Sequence, residues 1–389
     1  MDFLSESESD PESFFKEGAY GCVFRPGMNC LGEKEDSKFI TKIQMYEETS
    51  LNEMIISKFM ETVIKPEIPF YEDMFAPIIT SCILDLGKVK NETIQKCEVV
   101  QKKKNDATKK FVSNKIRYVG KYTLEPFLKL ELSENKNVFH KLFFQSHLYL
   151  LNSLFILSNY NIIHYDLKQN NISMDETKRI PVIIDFGLSF RFDDLITDFD
   201  YEQYFYIYYD KYPPWCLEIN IISFIVQEFK DLKDLQQTIK KNDKKGNKKG
   251  KKEKKEKKEK KSIWKTAIID HRHLIDIVSH HFKNNYVVLN FNRATIDIAE
   301  KKWIEYITKE FQNKTGEFIV RELMKSWKSW DNYSLCVIFF SLFRSFFSVN
   351  DKKYNSYLNL LIDAILSVPL DRDESIDTST KLNIFMNTL

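Results

Sequence analysis

Short stretches with a strand-like pattern fill the first third of the chain. FFKEGAYGCVFR is apolar and interrupted by glycines, and KFITKIQM alternates apolar and polar residues, so both are predicted strands. Three further segments are predicted strands: APIITSCILDL, KCEVVQK and NKIRYVGK. LNEMIISKFMETVI has a helical period instead and places one set of apolar residues on a predicted helix face, namely Leu51, Met54, Ile55, Phe59 and Val63.

The pattern changes after TLEPFL, at residues 123–128. NVFHKLFFQSHLYLLNSLFILSNY is long, strongly apolar and free of Pro and Gly, which predicts a buried helix. A predicted hairpin over residues 171–185 and a predicted loop from Phe186 to Cys216 follow, and helical patterns dominate the remainder. We therefore expect an α+β chain with an acidic tail at 1–12, a strand-rich lobe at 13–120 and a helix-rich lobe at 121–389.

The composition indicates the class of the protein and its cellular compartment. The 43% of hydrophobic residues indicates a globular chain, and six cysteines without a C-x-x-C pair favour free thiols and argue against zinc. The start, MDFLSESESDPE, lacks the basic and apolar parts of a signal peptide. The longest apolar stretch, at 335–347, is too short and too polar to span a membrane. We expect a soluble cytoplasmic protein without a membrane partner.

One segment carries most of the positive charge. Residues 240–261 hold 14 Lys against four acidic residues, or +10, so the remaining chain carries about −8 of the net +2. Such a low-complexity run does not form a core, and we interpret it as solvated and disordered. Non-specific contact with nucleic acid or another polyanion is one alternative, and nuclear targeting is another.

Polar residues cluster at two strand ends in the middle of the chain. IIHYDLKQNNIS carries Asp166, Lys168 and Asn171, and IPVIIDFGLS ends a strand in Asp185. A lone DFG is equally explained by a strand that ends in a turn. However, the predicted hairpin returns the chain to the same place, so Asp166, Asn171 and Asp185 can converge. One carboxylate and one amide suit Mg²⁺ held with substrate phosphates, and the second carboxylate can accept a proton.

The strand-rich region contributes a second group of candidates. Gly18 and Gly21 flank a tight turn where backbone can approach phosphate, although a plain hairpin explains them as well. Lys42 ends the FITK of a strand and can point inward, whereas most single strand lysines are solvated. Glu53, on the following helix, can pair with Lys42.

The order of these motifs resembles that of the eukaryotic-type protein kinases. A glycine loop, a strand Lys, a helix Glu, H-x-D-x-K-x-x-N and D-F-G follow one another, each on the expected kind of element. The resemblance implies a two-lobed kinase fold that uses ATP and Mg²⁺. It places Lys42 and Glu53 on the nucleotide, Asp166 as catalytic base, Lys168 on the γ-phosphate, and Asn171 and Asp185 on the metal. It also implies a nucleotide-covering loop formed by Phe15, Lys16, Gly18, Ala19, Tyr20, Gly21, Cys22 and Val23.

The resemblance extends towards the C-terminus. PPWCLE makes Glu218 the end of the activation segment, DNYSLC places Asp331 beneath the catalytic loop, and PLDR makes Arg372 the partner of Glu218. A large helical and Lys-rich insertion then occupies about 219–330. Lys168 resembles the Ser/Thr-specific form of the loop. GAYGCVF, HYDLKQNN, IIDFGLS and WCLE together are most similar to kinases of large cytoplasmic DNA viruses, which implies the host cytoplasm or the virion.

Two departures from the family pattern matter. Lys16 stands in place of the first glycine of the loop, and Tyr165 stands where the family's Arg pairs with a phosphorylated activation-loop residue. Since Tyr cannot form that ion pair, we expect activity without activation-loop phosphorylation. The acidic residues of the segment supply fixed negative charge or form a solvated loop: Asp193, Asp194, Asp198 and Asp200.

Two other functions stay open. A pseudokinase scaffold would use the Lys-rich insertion for docking, and a small-molecule kinase of related fold would phosphorylate an alcohol. Four histidines of the insertion could form a metal site, but an ordinary His-rich helix surface is the preferred interpretation. They are His271, His273, His280 and His281.

Overall fold

The computed structural model describes residues 14–18, 21–31, 33–87, 96–103, 110–198, 201–228 and 263–389. The predicted acidic tail and the Lys-rich run lie outside this part. The chain divides into two compact units, Met1–Phe192 and Asp193–Leu389. This division differs from the predicted lobe boundary at 120/121, which stays a prediction. The architecture is α+β, as expected, with a sheet region followed by a helical C-terminal part.

The strands of the first unit form a five-stranded antiparallel sheet and two smaller ones. The large sheet has the order β1-β2-β3-β6-β5, β10 pairs with β7, and β9 lies between β4 and β8. The strands are β1 (Phe14–Gly18), β2 (Gly21–Arg25), β3 (Phe39–Met45), β4 (Phe75–Ala76), β5 (Ile78–Ile83), β6 (Phe111–Arg117), β7 (Ile162–Ile163), β8 (Ile172–Asp175), β9 (Ile180–Ile184) and β10 (Phe190–Arg191).

The helices of the first unit include the long apolar one that the sequence predicts. They are α1 (Glu48–Phe59), α2 (Tyr71–Met74), α3 (Glu98–Lys103), α4 (Leu124–Glu134) and α5 (Lys136–Asn159). The Asn135 side chain accepts hydrogen bonds from the backbone N–H groups of Asn137 and Val138, so it caps the start of α5. Helix α5 is buried along most of its length because it is apolar on several faces.

The predicted apolar face of α1 does not face the core, so that prediction is wrong. Leu51 and Ile55 are 41% and 55% exposed, whereas Glu53 is 3% exposed. The helix turns Glu53 inward because Lys42 and Gln44 bind its carboxylate, and Ile56 then packs in the core beside it. The buried side of this helix and of the turn that follows it carries a different apolar set, Ile56, Met60 and Ile64, and Glu53 lies on that same side.

The predicted strand at 96–102 is also wrong, since residues Glu98–Lys103 form helix α3. Cys97 and Val100 are both fully buried and lie three residues apart, which is helical spacing. Both belong to a hydrophobic cluster on one face of the sheet with Cys22, Phe24 and Ile43.

The expectation of free thiols is overturned as well. Cys22 is disulfide-bonded to Cys97, and Cys30 to Cys82, while Cys216 and Cys336 are buried free thiols. Sequence spacing does not indicate these pairs, because the fold brings together residues 75 and 52 positions apart. Closing loops of this length stabilises a fold by about 2–4 kcal/mol for each bond.

The second unit is helical. Helices α6 (Phe192–Asp198) and α7 (Tyr201–Tyr204) lie where a loop was predicted, so that prediction is wrong over these residues. The others are α8 (Leu217–Glu228), α9 (His271–Asn284), α10 (Arg293–Phe311), α11 (Gly316–Met324), α12 (Trp330–Phe346), α13 (Asn355–Leu366) and α14 (Ser375–Met386). No helix in the described residues is long and apolar enough to cross a membrane.

Glu218 and Arg372 form a buried ion pair, which confirms their predicted pairing. Ser326 also donates to the Glu218 carboxylate, and Arg372 donates to the Ser367 carbonyl at 2.9 Å. Asp331 is buried in α12, and its predicted place beneath the catalytic loop stays a prediction.

The four histidines of the predicted insertion lie on helix α9 and do not group into a metal site within the described residues. His280 Nε2 lies 2.6 Å from the Asp210 carboxylate. Burial lowers the pKa of His281 to about 4, with help from Arg372, so this ring is neutral at neutral pH.

The disulfides predict a thiol count. Alkylation of the protein denatured without reductant should label two cysteines, Cys216 and Cys336, and alkylation after reduction should label six. Mass spectrometry of the intact chain measures both numbers. Six labels without reductant would contradict the disulfides.

Candidate active site

Lys42 lies at the centre of the candidate site. It is on β3, and its Nζ lies 3.0 Å from both carboxylate oxygens of Glu53 and 2.9 Å from Oδ1 of Asp185. Strand pairing sets Lys42 opposite Val23 of β2 and Asn114 of β6, so these three side chains share one face of the sheet. The predicted pairing of Lys42 with Glu53 is therefore present, and Asp185 joins it.

The charges of this group hold one another in the ionised state. Burial alone would lower the pKa of Lys42, but the carboxylates of Glu53 and Asp185 outweigh it and raise that pKa. Burial would likewise raise the pKa of Asp185, but the Lys42 ammonium outweighs it and lowers that pKa. Lys42 thus remains a cation, and Asp185 an anion, at neutral pH.

The two carboxylates differ in access to solvent. The Glu53 side chain is 4% exposed, and the Asp185 side chain is 42% exposed. Gln44, two residues along β3 and on the same face as Lys42, donates to Glu53 Oε2 at 3.0 Å. Glu53 is consequently fixed from two sides, whereas Asp185 can still receive a further ligand.

Gly187 follows Asp185 at a crowded point. A Cβ built on it would lie 3.3 Å from Asp185 Oδ1 and 3.7 Å from Glu53 Oε2. A larger residue would press on the carboxylate that Lys42 binds, so the glycine keeps room for this carboxylate.

A second group forms around Asp166. Lys168 Nζ lies 2.9 Å from Asp166 Oδ2, and Asn171 Nδ2 donates to Oδ2 at 3.0 Å and to the Asp166 carbonyl at 2.8 Å. Asp166 is therefore held as an oriented carboxylate. Because the Asn171 nitrogen faces Asp166, the amide oxygen is the atom of Asn171 that can serve as a metal ligand.

The hairpin of β8 and β9 brings the two groups together, as the sequence predicts. Ile172 pairs with Ile183, so Asn171 before β8 and Asp185 after β9 lie at the same end of the hairpin. His164 Nε2 donates to the Ile184 carbonyl at 3.2 Å and links the two segments directly. The positive charge of Lys168 also contributes to the lowered pKa of Asp185. All six charged or amide side chains of the predicted centre belong to the first unit.

Strands β1 and β2 form the predicted glycine hairpin. Phe15 pairs with Phe24, Lys16 with Val23, and Gly18 with Gly21, while Ala19 and Tyr20 lie outside the described residues. A Cβ on Gly21 would lie 2.2 Å from the Ile43 carbonyl oxygen, so only glycine allows this approach of β2 to β3. The Cys22 side chain is buried and disulfide-bonded, which leaves only its backbone for a ligand contact.

Two residues of the site have left-handed backbone conformations. Tyr165 has φ 66° and Asp185 has φ 64°. Each such conformation costs about 1–3 kcal/mol in a non-glycine residue and persists where surrounding contacts hold it. Tyr165 is held by burial and by an edge-to-face contact with Phe190, with ring centroids 5.3 Å apart.

No protein-family model matches the chain, and no curated protein matches it significantly. The resemblance to protein kinases therefore depends on these residues and their geometry.

Sequence reasoning missed three polar residues of this site: Gln44, Asn52 and Ser189. Gln44 was recognisable, because a residue two positions from Lys42 on a strand shares its face. Asn52 and Ser189 had no such pattern. Their contacts link α1, the segment after Asp185 and the loop that holds Asp166, which are far apart in sequence.

The Lys42–Glu53 contact predicts a measurable coupling. Lys42→Met leaves the buried Glu53 carboxylate without its cation, so it should destabilise the first unit more than Lys42→Met does in a Glu53→Gln background. We expect a coupling free energy of about 1–3 kcal/mol from denaturant unfolding of the four proteins. The more exposed pair Lys115–Glu35, also 3.0 Å apart, is the matched control and should give about 1 kcal/mol or less. Equal coupling in the two pairs would contradict the central place of Lys42.

Proposed function

We propose that this chain is an ATP- and Mg²⁺-dependent serine/threonine protein kinase with a two-lobed kinase fold, most similar to kinases of large cytoplasmic DNA viruses. The observation that carries the proposal is the Lys42 ammonium bound at once to Glu53 and Asp185. In protein kinases the strand Lys, the helix Glu and the DFG Asp must be in place together for phosphoryl transfer.

The donor set fits Mg²⁺. Asp185 supplies a partly exposed carboxylate and Asn171 an amide oxygen, both at one end of the same hairpin. Hard oxygen ligands of this kind, with nucleotide phosphates, suit Mg²⁺, which neutralises phosphate charge when bound. Lys42, fixed by Glu53, binds the α- and β-phosphates, and the backbone of Gly18 and Gly21 covers them.

Asp166 acts on the acceptor hydroxyl. Its carboxylate takes the hydroxyl proton as the oxygen bonds to the γ-phosphorus, and the bond from that phosphorus to the bridging oxygen breaks to release ADP. Asn171 orients the carboxylate, and Lys168 places a positive charge beside the γ-phosphate. Most of the catalysis is then positioning and charge stabilisation, not covalent chemistry.

Two features favour a protein as acceptor. Lys168 follows the catalytic Asp as in Ser/Thr-specific loops, and Glu218 forms the buried pair with Arg372 that the family uses at the end of the activation segment. No comparable observation favours a scaffold or a small-molecule kinase.

Activity should depend on Asp166. Asp166→Asn keeps the shape of the side chain but removes the proton acceptor, so we expect transfer from γ-labelled ATP to casein and to a generic basic protein to fall about 10²–10⁴-fold. Asp297→Asn, the same change at a half-exposed surface site, should leave transfer unchanged.

The outcomes separate the rival functions. Equal labelling by wild type and Asp166→Asn contradicts the assigned base. Binding of Mg·ATP by wild type, seen as a thermal shift, without transfer to any protein favours the scaffold. Transfer to a small alcohol but to no protein favours the small-molecule kinase.

A further inference from the structure

Asn52 lies on α1 immediately before Glu53 and points to the segment that follows Asp185. Its Nδ2 donates to the Ser189 carbonyl at 2.7 Å and lies 3.4 Å from the Gly187 carbonyl. A single amide nitrogen therefore contacts the carbonyl groups of the residues before and after Leu188. Two neighbouring residues of α1 are thus connected to the region of Asp185. Glu53 shares the Lys42 ammonium with the Asp185 carboxylate, and Asn52 binds backbone carbonyls of the segment that follows Asp185.

Ser189 extends this connection to the catalytic loop. It is fully buried, and its hydroxyl donates to the His164 carbonyl at 3.0 Å. The Asp166 N–H donates to the same carbonyl at 2.8 Å. A continuous set of hydrogen bonds consequently runs from α1 through Ser189 to the loop that holds Asp166.

We propose that Asn52 is a positioning residue that keeps the active site assembled without a phosphorylated activation segment. This inference rests on the proposed kinase function. Asn52 holds α1 against the segment after Asp185, so that Glu53 stays in reach of Lys42 when no phosphate is present. It works beside Tyr165, which packs on Phe190 where kinases with Arg depend on a phosphate contact.

The chemistry of the contact requires an amide donor. Both partners of Asn52 Nδ2 are carbonyl oxygens, which only accept hydrogen bonds. Aspartate at position 52 would have the same shape but would set carboxylate oxygens against these carbonyl oxygens. Asn52→Asp should therefore separate α1 from the segment at least as strongly as Asn52→Ala.

The test uses phosphatase-treated full-length protein. We expect kcat for casein or basic-protein labelling to fall about tenfold or more in Asn52→Ala and Asn52→Asp, with KM for ATP changed much less. Leu51→Ala removes a neighbouring but exposed side chain of α1 and should leave both constants unchanged. Unchanged kcat in Asn52→Asp would overturn the proposal, and so would loss of wild-type activity on phosphatase treatment.

Hydrogen exchange tests the same contact without nucleotide or activity. The Ser189 N–H is bonded to the Phe186 carbonyl at 3.1 Å, and its exchange should accelerate in Asn52→Asp but not in Leu51→Ala. Unchanged exchange overturns the positioning role even if kcat falls, because Asn52 would then act elsewhere. If wild type neither binds Mg·ATP nor transfers phosphate, the proposed function fails, and exchange alone still decides whether Asn52 holds the segment.

Discussion

One ammonium group, that of Lys42, is shared by two carboxylates that belong to different parts of the first unit. Glu53 comes from a helix and Asp185 from the end of a hairpin, and the buried Glu53 carboxylate would be costly as an isolated charge. Lys42 compensates both, and in return they keep it charged inside the fold. The positions of β3, α1 and the β8–β9 hairpin around the site all depend on this arrangement.

The pleat of the sheet explains how polar chemistry and a core coexist on one strand. Ile43 faces the hydrophobic cluster closed by Cys22 and Cys97, while Lys42 and Gln44 face the opposite side, with Val23 as cross-strand neighbour. The disulfide therefore anchors the β1–β2 hairpin through the face of the sheet that packs on the cluster, and it leaves the opposite face of the hairpin accessible to a ligand. The left-handed conformations of Tyr165 and Asp185 are held in the same way, by packing and ion pairing beside them.

Elements with strong local patterns were predictable, and contacts between distant segments were not. The long apolar helix at Lys136–Asn159 and the hairpin that joins Asn171 to Asp185 follow from sequence periodicity. The buried side of α1 and the helix at Glu98–Lys103 do not, because both elements make contacts with distant residues, Glu53 with Lys42 and Cys97 with Cys22. Motif order located Lys42, Glu53, Asp166 and Asn171, but the connection through Asn52 and Ser189 depends on backbone carbonyls, which no sequence pattern records.

We propose that the Lys42 group and the Asp166 group form one nucleotide and metal site. A crystal structure with Mn²⁺ and a non-hydrolysable ATP analogue tests it most directly, because anomalous scattering locates the metal. We expect a metal peak within ligating distance of the Asp185 carboxylate and the Asn171 amide oxygen, with Lys42 on the nucleotide phosphates and still bound to Glu53. Nucleotide bound elsewhere, or a metal peak away from both ligands, would contradict it.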